Sequence, residues 1–402
     1  MEPSLATAIA SSTAISIASS TAITTAAANT IPFLESAVRT GLAEVGEFLG
    51  AHLLSGMIPA FFIAAGIAVF LDKQRITRLM GRNASPWVAY PVASFSGALL
   101  TVCSCGVLPI FTGIRQQGAG IGPAFTFLFS APAVNLIALT YTFTYMGTKV
   151  MVARFVSVIV CSMLIGICMK AIFGEEKAGP EPVAAYAVLD DEGRTDGQTL
   201  VFFAMLVLIM TTATGMLDSL TSVLMPIYLF AWISPTMAQP LSHLVPKLLF
   251  MVCEIGVLLV LLKKWFHPDE VTQWLKKAWS LFVMIFPKVL LGIFISGILA
   301  AAFPLASFMS WFDANTPKSN LAVAFIGAMM YFGTIVGVNI VATMVRFGMN
   351  IGPALTLLLS GPAMSLPELM VLIPLVGPKK AVTYLGLVVV MTASCGLIFG
   401  ML

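Results

Sequence analysis

The sequence predicts an all-α polytopic membrane protein built from two inverted repeats with proline-broken helices. Three observations predict it. Of 402 residues, 59% are hydrophobic and 10% charged; apolar runs recur along the chain; and one 13-residue block occurs twice. Soluble domains carry about 25% charged residues, so this much apolar surface needs a bilayer to cover it.

A spanning helix takes about 20 apolar residues. Runs of that kind fall at 50–71, 86–112, 121–146, 149–173, 199–217, 220–235, 241–262, 279–303, 321–342, 350–374 and 381–401. They give about 10–11 transmembrane helices, with the proline-flanked 220–235 run the shortest. The 33–49 stretch sets Glu35, Arg39, Glu44 and Glu47 against Leu34, Val38, Leu42, Val45 and Phe48, the pattern of an amphipathic surface helix.

The polar connections set orientation. Lys73, Arg75, Arg78 and Arg82 crowd one, and Lys263, Lys264, Lys276 and Lys277 another; both belong on the cytoplasmic side. The acidic 174–198 loop and the nearly neutral 304–320 segment belong outside. Alternating spans between these loops closes without contradiction, with the amino terminus outside and the carboxyl terminus inside. The chain divides into a low-complexity Ala/Ser/Thr tail (1–32), a first repeat (33–173), the acidic extracytoplasmic loop (174–198), intervening helices (199–265) and a second repeat (266–402).

Composition also excludes. A net charge of +3 is too small to imply nucleic acid, and neither basic connection resembles a nucleic-acid footprint. The six cysteines lie mostly in apolar runs, unlike a secreted disulfide framework. His52, His243 and His267 lack metal-ligand spacing, so neither a metal nor another cofactor is expected. No Walker A loop, Gly-x-Ser-x-Gly elbow or His-Glu-x-x-His motif occurs, which disfavours an ATP-driven pump or a hydrolase; the chain does not read as an enzyme.

The duplicated block is Ile121-Gly-Pro-Ala-Phe-Thr-Phe-Leu-Phe-Ser-Ala-Pro-Ala133, returning as Ile351-Gly-Pro-Ala-Leu-Thr-Leu-Leu-Leu-Ser-Gly-Pro-Ala363. Nine of thirteen positions match at a spacing of 230. Shared Gly, Pro, Thr and Ser argue for a repeat, since apolar bias alone would match Leu and Ala. Upstream, Arg115 pairs with Arg346, and Gly106 with Gly337, if one residue is dropped. The two blocks are the third and tenth spans, so they face opposite ways across the membrane. Inverted repeats of this kind build secondary transporters, whose substrate sits near the midplane between the repeats.

Pro132 and Pro362 each remove a backbone donor and free carbonyls around Leu128 and Leu358. Within lipid, freed carbonyls persist only where protein or a water-filled cavity covers them. Ser130 and Asn135 stand beside the first break, Ser360 and Ser365 beside the second, and all four are expected to line the substrate site with Pro132 and Pro362. In Cys103-Ser-Cys-Gly-Val-Leu-Pro109, Gly106 and Pro109 predict a broken span. In extended backbone Cys103 and Cys105 would face one cavity, and paired soft sulfurs favour thiophilic species. Thr334 and Val336 stand opposite them in the second repeat, with Asn339 nearby.

Charges inside spans are costly and usually functional. Glu254 and Glu368 are candidate coupling acids, and Glu254 with Lys288 a candidate buried pair. Arg115 and Arg346 sit at the repeat turns, where they either hold loop carbonyls or steer an anion.

Met57 to Tyr145 closely resembles the ArsP/YraQ-type predicted permease family. The likeness is carried by Cys103-Ser104-Cys105-Gly106-Val107-Leu108-Pro109, Arg115-x-x-Gly118 and Phe127-Leu-Phe-Ser-Ala-Pro-Ala-Val-Asn135. It extends, more weakly, through the second repeat. The resemblance implies a gradient-driven permease of the cytoplasmic membrane, in a family that includes efflux permeases for trivalent organoarsenicals. Export of a small thiophilic solute, and with it arsenic resistance, is therefore the leading expectation. The second repeat lacks a cysteine near its turn, so a three-thiolate site would recruit Cys253 or Cys395, or take two sulfurs and an oxygen. The alternatives are transport of a sulfur-containing anion, and a thiol/disulfide redox module working with a small thioredoxin-like protein. The partners expected are the lipid bilayer and a small-molecule substrate.

Overall fold

The computed structural model describes residues 35–70, 73–81, 84–100, 104–134, 136–174, 196–213, 238–302, 312–330 and 334–402. The 1–32 tail, most of the 174–198 loop and the whole 220–235 run lie outside the described residues. Among the described residues every regular element is helical, and the β-type pairing is one isolated bridge between Gly81 and Ala119. The protein is all-α, as its long continuous apolar runs led us to expect.

Helix α1 (35–47) runs through a π-helical stretch (Phe48–Met57) into α2 (Ile58–Phe70). The first repeat continues with α3 (Lys73–Met80), α4 (Pro86–Leu100), α5 (Ser104–Gln116), α6 (Ile121–Ala133) and α7 (Leu136–Phe173). Helices α8 (Asp196–Ala213) and α9 (Ala238–Trp265) lie between the repeats. The second holds α10 (Pro268–Ala302), α11 (Pro317–Met329), α12 (Thr334–Arg346), α13 (Ile351–Ala363), α14 (Leu366–Val376) and α15 (Pro378–Phe399).

Local chemistry starts several of these helices. Pro268 opens α10 with Asp269 and Glu270 in its first turn, at the positive end of the helix dipole. The Glu270 carboxylate accepts the His267 backbone N–H at 3.1 Å. The Thr316 hydroxyl accepts the Ser319 N–H ahead of Pro317, and the Asn350 side chain accepts the Gly352 N–H ahead of α13.

Three helices are long and apolar enough to cross a bilayer among the described residues: Ala138–Phe173 within α7, Pro268–Leu299 within α10, and α15. The bent pair α13 and α14, meeting at 48°, adds a fourth crossing if counted as one. Outward faces are apolar, with Val252, Leu259 and Val260 on α9 and Trp279 and Val283 on α10 exposed. A soluble protein would not present so broad an apolar surface; lipid accounts for it.

Several expected spans break. The 86–112 run is described as helices α4 and α5 on either side of residues 101–103, which lie outside the described residues, and the 321–342 run ends α11 at Met329, with Met330 extended. Gly106 and Pro109, expected to interrupt the helix, sit inside α5. The 33–49 stretch also differs from expectation. Its buried stripe is Ala37, Gly41 and Phe48, while Leu42 is 59% exposed. A Cβ at Gly41 would stand 2.9 Å from the Phe294 carbonyl oxygen, and one at Gly297 would stand 2.8 Å from Gly41 Cα. Two glycines thus bring α1 against α10 at backbone contact, the small-residue packing of membrane helices.

The duplication persists through the backbone. Helices α5 and α12 begin at 104 and 334, and α6 and α13 at 121 and 351, each pair offset by 230. Gly118 (φ 95°) ends the turn after α5 and Gly348 (φ 108°) the turn after α12. Gly147 (φ 84°) kinks α7 where Gly377 (φ 89°) separates α14 from α15. Packing repeats too: a Cβ at Gly166 would collide with Thr126 Oγ1 and the Gly122 carbonyl, and one at Gly396 with Thr356 Oγ1 and the Gly352 carbonyl.

Candidate functional site

Helices α6 and α13 lie at the centre, each buried along nearly its whole length. Pro132 and Pro362 stand one residue before their ends, where a missing N–H and a bulky ring stop the helix from continuing. Beyond each, the chain turns extended at Val134 (φ −116°, ψ 90°) and Met364 (φ −156°, ψ 134°). The Val134 N–H returns to the Ser130 carbonyl at 3.0 Å and the Met364 N–H to the Ser360 carbonyl at 3.1 Å.

The last carbonyl of each helix has lost its helical donor. Arg154, fully buried on α7, supplies one: Nη2 donates to the Ala133 carbonyl at 3.2 Å and Nη1 to Thr142 Oγ1 at 2.9 Å. Tyr384, fully buried on α15, donates its hydroxyl to the Ala363 carbonyl at 3.4 Å. Donor follows acceptor by 21 residues in both halves.

Each break carries a buried serine packed on a glycine. A Cβ at Gly97 of α4 would overlap Ser130 Oγ, and one at Gly327 of α11 would overlap Ser360 Oγ. Ser130 Oγ donates to the Phe127 carbonyl at 3.3 Å, whereas the buried Ser360 hydroxyl makes no hydrogen bond. At the second break Ser365 caps α14 and Glu368 follows three residues later, the spacing of a capping box, in which the acid faces the cap residue's N–H. The Ser365 backbone N–H does face the Glu368 carboxyl. Neither Glu368 oxygen nor the Ser365 hydroxyl has a partner of good geometry. Buried polar atoms are nearly always satisfied, so Ser360, Ser365 and Glu368 concentrate spare hydrogen-bonding capacity around one helix break.

Other expected site residues are placed differently. Cys103 and Asn135 lie outside the described residues, as do the side chains of Cys105, Thr334 and Val336. Cys105 is the second residue of α5, so the extended backbone invoked to align the two thiols does not hold from Ser104 onward. Asn339 is exposed on α12. Glu254 does not pair with Lys288: its Oε1 accepts from Thr212 Oγ1 at 2.8 Å, and no ion pair joins it to the half-buried Lys288 among the described residues. Arg115 holds a loop carbonyl, donating from Nη1 to Ala119 at 2.8 Å. In the 230 register its counterpart is Val345, not Arg346, because Gly118 and Gly348 return to the carbonyls of Arg115 and Val345 respectively. Arg346 is exposed. No cluster of three or more His, Cys, Asp or Glu side chains forms among the described residues.

Comparison with known proteins decides the family. The model of a family described as a predicted permease, ArsP type, matches residues 40–401. The chain belongs to the ArsP-type permease family. A UPF0718 protein of Methanocaldococcus jannaschii is 35% identical over 379 residues, covering 93% of this chain and 99% of the relative. The UPF0718 protein YcgR of Bacillus subtilis is 26% identical over 28% of this chain and 38% of its own length. A Streptococcus mutans protein named for a subunit of a two-component membrane permease complex is 27% identical over 32% of this chain and 39% of its own length. No solved structure matches. With its outward apolar helices, this ArsP-type permease is an integral membrane protein.

Sequence reading missed Arg154, Tyr384 and the approach of Cys161 to Cys395. Arg154 carried a usable signal, being a charge inside the 149–173 span. Tyr384 becomes visible only once 230 is added to 154. Cys161 and Cys395, 234 apart, have no signal in one chain.

Proposed function

We propose that this ArsP-type permease is a gradient-driven secondary transporter of the cytoplasmic membrane that exports a small thiophilic solute, of which a trivalent organoarsenical is the leading case. The two repeats are inverted, and the substrate site lies between them near the midplane, beside the broken ends of α6 and α13. Ser130, Pro132, Asn135, Ser360, Pro362 and Ser365 border it. Cys103 and Cys105, at the junction of α4 and α5, supply soft ligands. Glu368 carries the coupling proton.

The observation that supports this reading is the pair of buried proline-ended helices in one register, with the side-chain oxygens of Ser360, Ser365 and Glu368 lacking a hydrogen bond of good geometry beside the second. Irregular backbone and unmet polar atoms at membrane depth are kept where they face a pathway. Export of arsenicals comes from the family likeness and the Cys-x-Cys pair rather than from these contacts.

Everted-vesicle uptake across trivalent arsenicals, thiol-reactive metals and sulfur oxyanions tests the reading. Accumulation of a trivalent arsenical that is lost in a Cys103→Ser/Cys105→Ser variant is the expected result. Uptake of no thiophilic solute overturns it.

A second reading, transport of a sulfur-containing anion, is favoured by Arg154. Its guanidinium is fully buried with no carboxylate partner among the described residues, and Nε is without any partner. Oxyanion accumulation abolished by Arg154→Met, with Cys103→Ser/Cys105→Ser active, would select it.

A further inference from the structure

Cys161 on α7 and Cys395 on α15 bring their sulfurs to 3.1 Å. Both are free thiols; Cys161 is buried and Cys395 half-buried. The pair sits where the two repeats touch. Cys161 Sγ also lies 3.7 Å from the carbonyl of Met391, the residue 230 positions later and thus its own counterpart. A residue meets its counterpart only close to the axis relating the halves, and each half contributes one thiol there.

The separation falls between a disulfide bond of about 2.05 Å and the roughly 3.8 Å between two thiolates on a tetrahedral ion with ~2.3 Å bonds. A pyramidal trivalent centre, with a narrower angle than a tetrahedron, draws its sulfurs closer; a linear two-coordinate ion drives them apart. Cys161 is buried and Cys395 half-buried, and the Ser157 hydroxyl faces Cys395. A dithiolate complex carrying net charge would be costly there, and a neutral one would not.

We propose that Cys161 and Cys395 form a two-thiol site, one ligand from each repeat, for a trivalent metalloid bearing a single organic group. This rests on the thiophilic-solute reading above and adds a second ligand pair to it. The step is ligand exchange: R–As(OH)2 meets two thiols, two As–O bonds break, two As–S bonds form, and the thiol protons leave with the hydroxides as two waters. Nothing is oxidised or reduced, and the adduct R–As(S-Cys)2 is neutral.

The test uses the full-length protein, reduced and purified in detergent, with phenylarsine oxide as probe. Native mass and a free-thiol titration read the adduct. In a Cys103→Ser/Cys105→Ser background, one phenylarsenic group bound and two thiols lost is the expected result, stable to excess glutathione. Adding Cys395→Ser, or separately Cys161→Ser, abolishes that stable adduct. Failure of the background variant to bind, or retention of the adduct in both further variants, overturns the site. Vesicle transport of the same arsenical is read separately. An adduct without transport supports the site and defeats the thiophilic-solute reading; transport without this adduct defeats the site and upholds that reading.

Discussion

Arg154 and Tyr384 stand 230 positions apart and play the same part, each donating to the final carbonyl of a proline-ended helix, Ala133 and Ala363. The chemistry differs while the geometry is kept. A guanidinium serves two acceptors and brings a charge; a phenol serves one and brings none.

Removing these donors should therefore cost unequally. Tyr384→Phe gives up one neutral hydrogen bond and should destabilise by about 1 kcal/mol. Arg154→Met leaves the buried Ala133 carbonyl without its donor, while Thr142 keeps its bond to the Ala138 carbonyl, and should cost about 1–3 kcal/mol. Arg154→Lys should recover little, because an ammonium lacks the planar fork that reaches both acceptors. Thermal unfolding in detergent measures all three, and equal melting temperatures for the lysine variant and the parent would contradict the forked contact.

Gly97 and Gly327 should tolerate no side chain. Each alanine Cβ would overlap the serine hydroxyl at its helix break, and over-packing costs about 1–3 kcal/mol. Gly97→Ala combined with Ser130→Ala should recover part of the loss, and Gly327→Ala with Ser360→Ala likewise. The partial recovery is the expectation because the Ala131 amide, at 3.0 Å, and Leu357 Cδ1, at 2.9 Å, also crowd the new methyl at Gly97 and Gly327 respectively.

Gly147 and Gly377 should fail for a different reason. Nothing crowds a Cβ at either, but φ 84° with ψ 174° and φ 89° with ψ 153° belong to a region kept almost wholly to glycine. Alanine at either site should cost about 1–3 kcal/mol through backbone strain alone. No neighbouring truncation should rescue it, which separates these positions from Gly97 and Gly327.

Glu368→Gln keeps shape and removes the ionisable group. If Glu368 carries the coupled proton, the variant should reach normal membrane levels and lose stimulation of vesicle uptake by a pH gradient, while solute exchange without a gradient continues. Glu254→Gln, whose carboxyl already accepts from Thr212, should keep the stimulation. Matching gradient responses in Glu368→Gln and the parent would remove Glu368 from coupling.

The membrane class was legible from composition, and the repeat from a block in which Gly, Pro, Thr and Ser matched at one spacing. The helix breaks were legible only in part. Pro132 and Pro362 marked theirs, since proline acts on its own helix. Gly106 and Pro109 were expected to break their span, but both lie inside α5. Pro109, the sixth residue of α5, takes away the donor that the Cys105 carbonyl would have met, yet the helix continues through it to Gln116. Side-chain partnerships were hardest. Glu254 found Thr212 rather than Lys288 because neighbours across helices depend on rotation about each axis, which hydropathy does not encode.

The uninterrupted 230-residue register has a practical consequence for experiment. Each half serves as an internal control for the other, matched in backbone and differing in a known set of side chains. Arg154→Tyr, or Ser365→Asn to match position 135, asks within one polypeptide which asymmetries the solute reads and which are drift. Proteins without such an echo need a separate relative for that comparison.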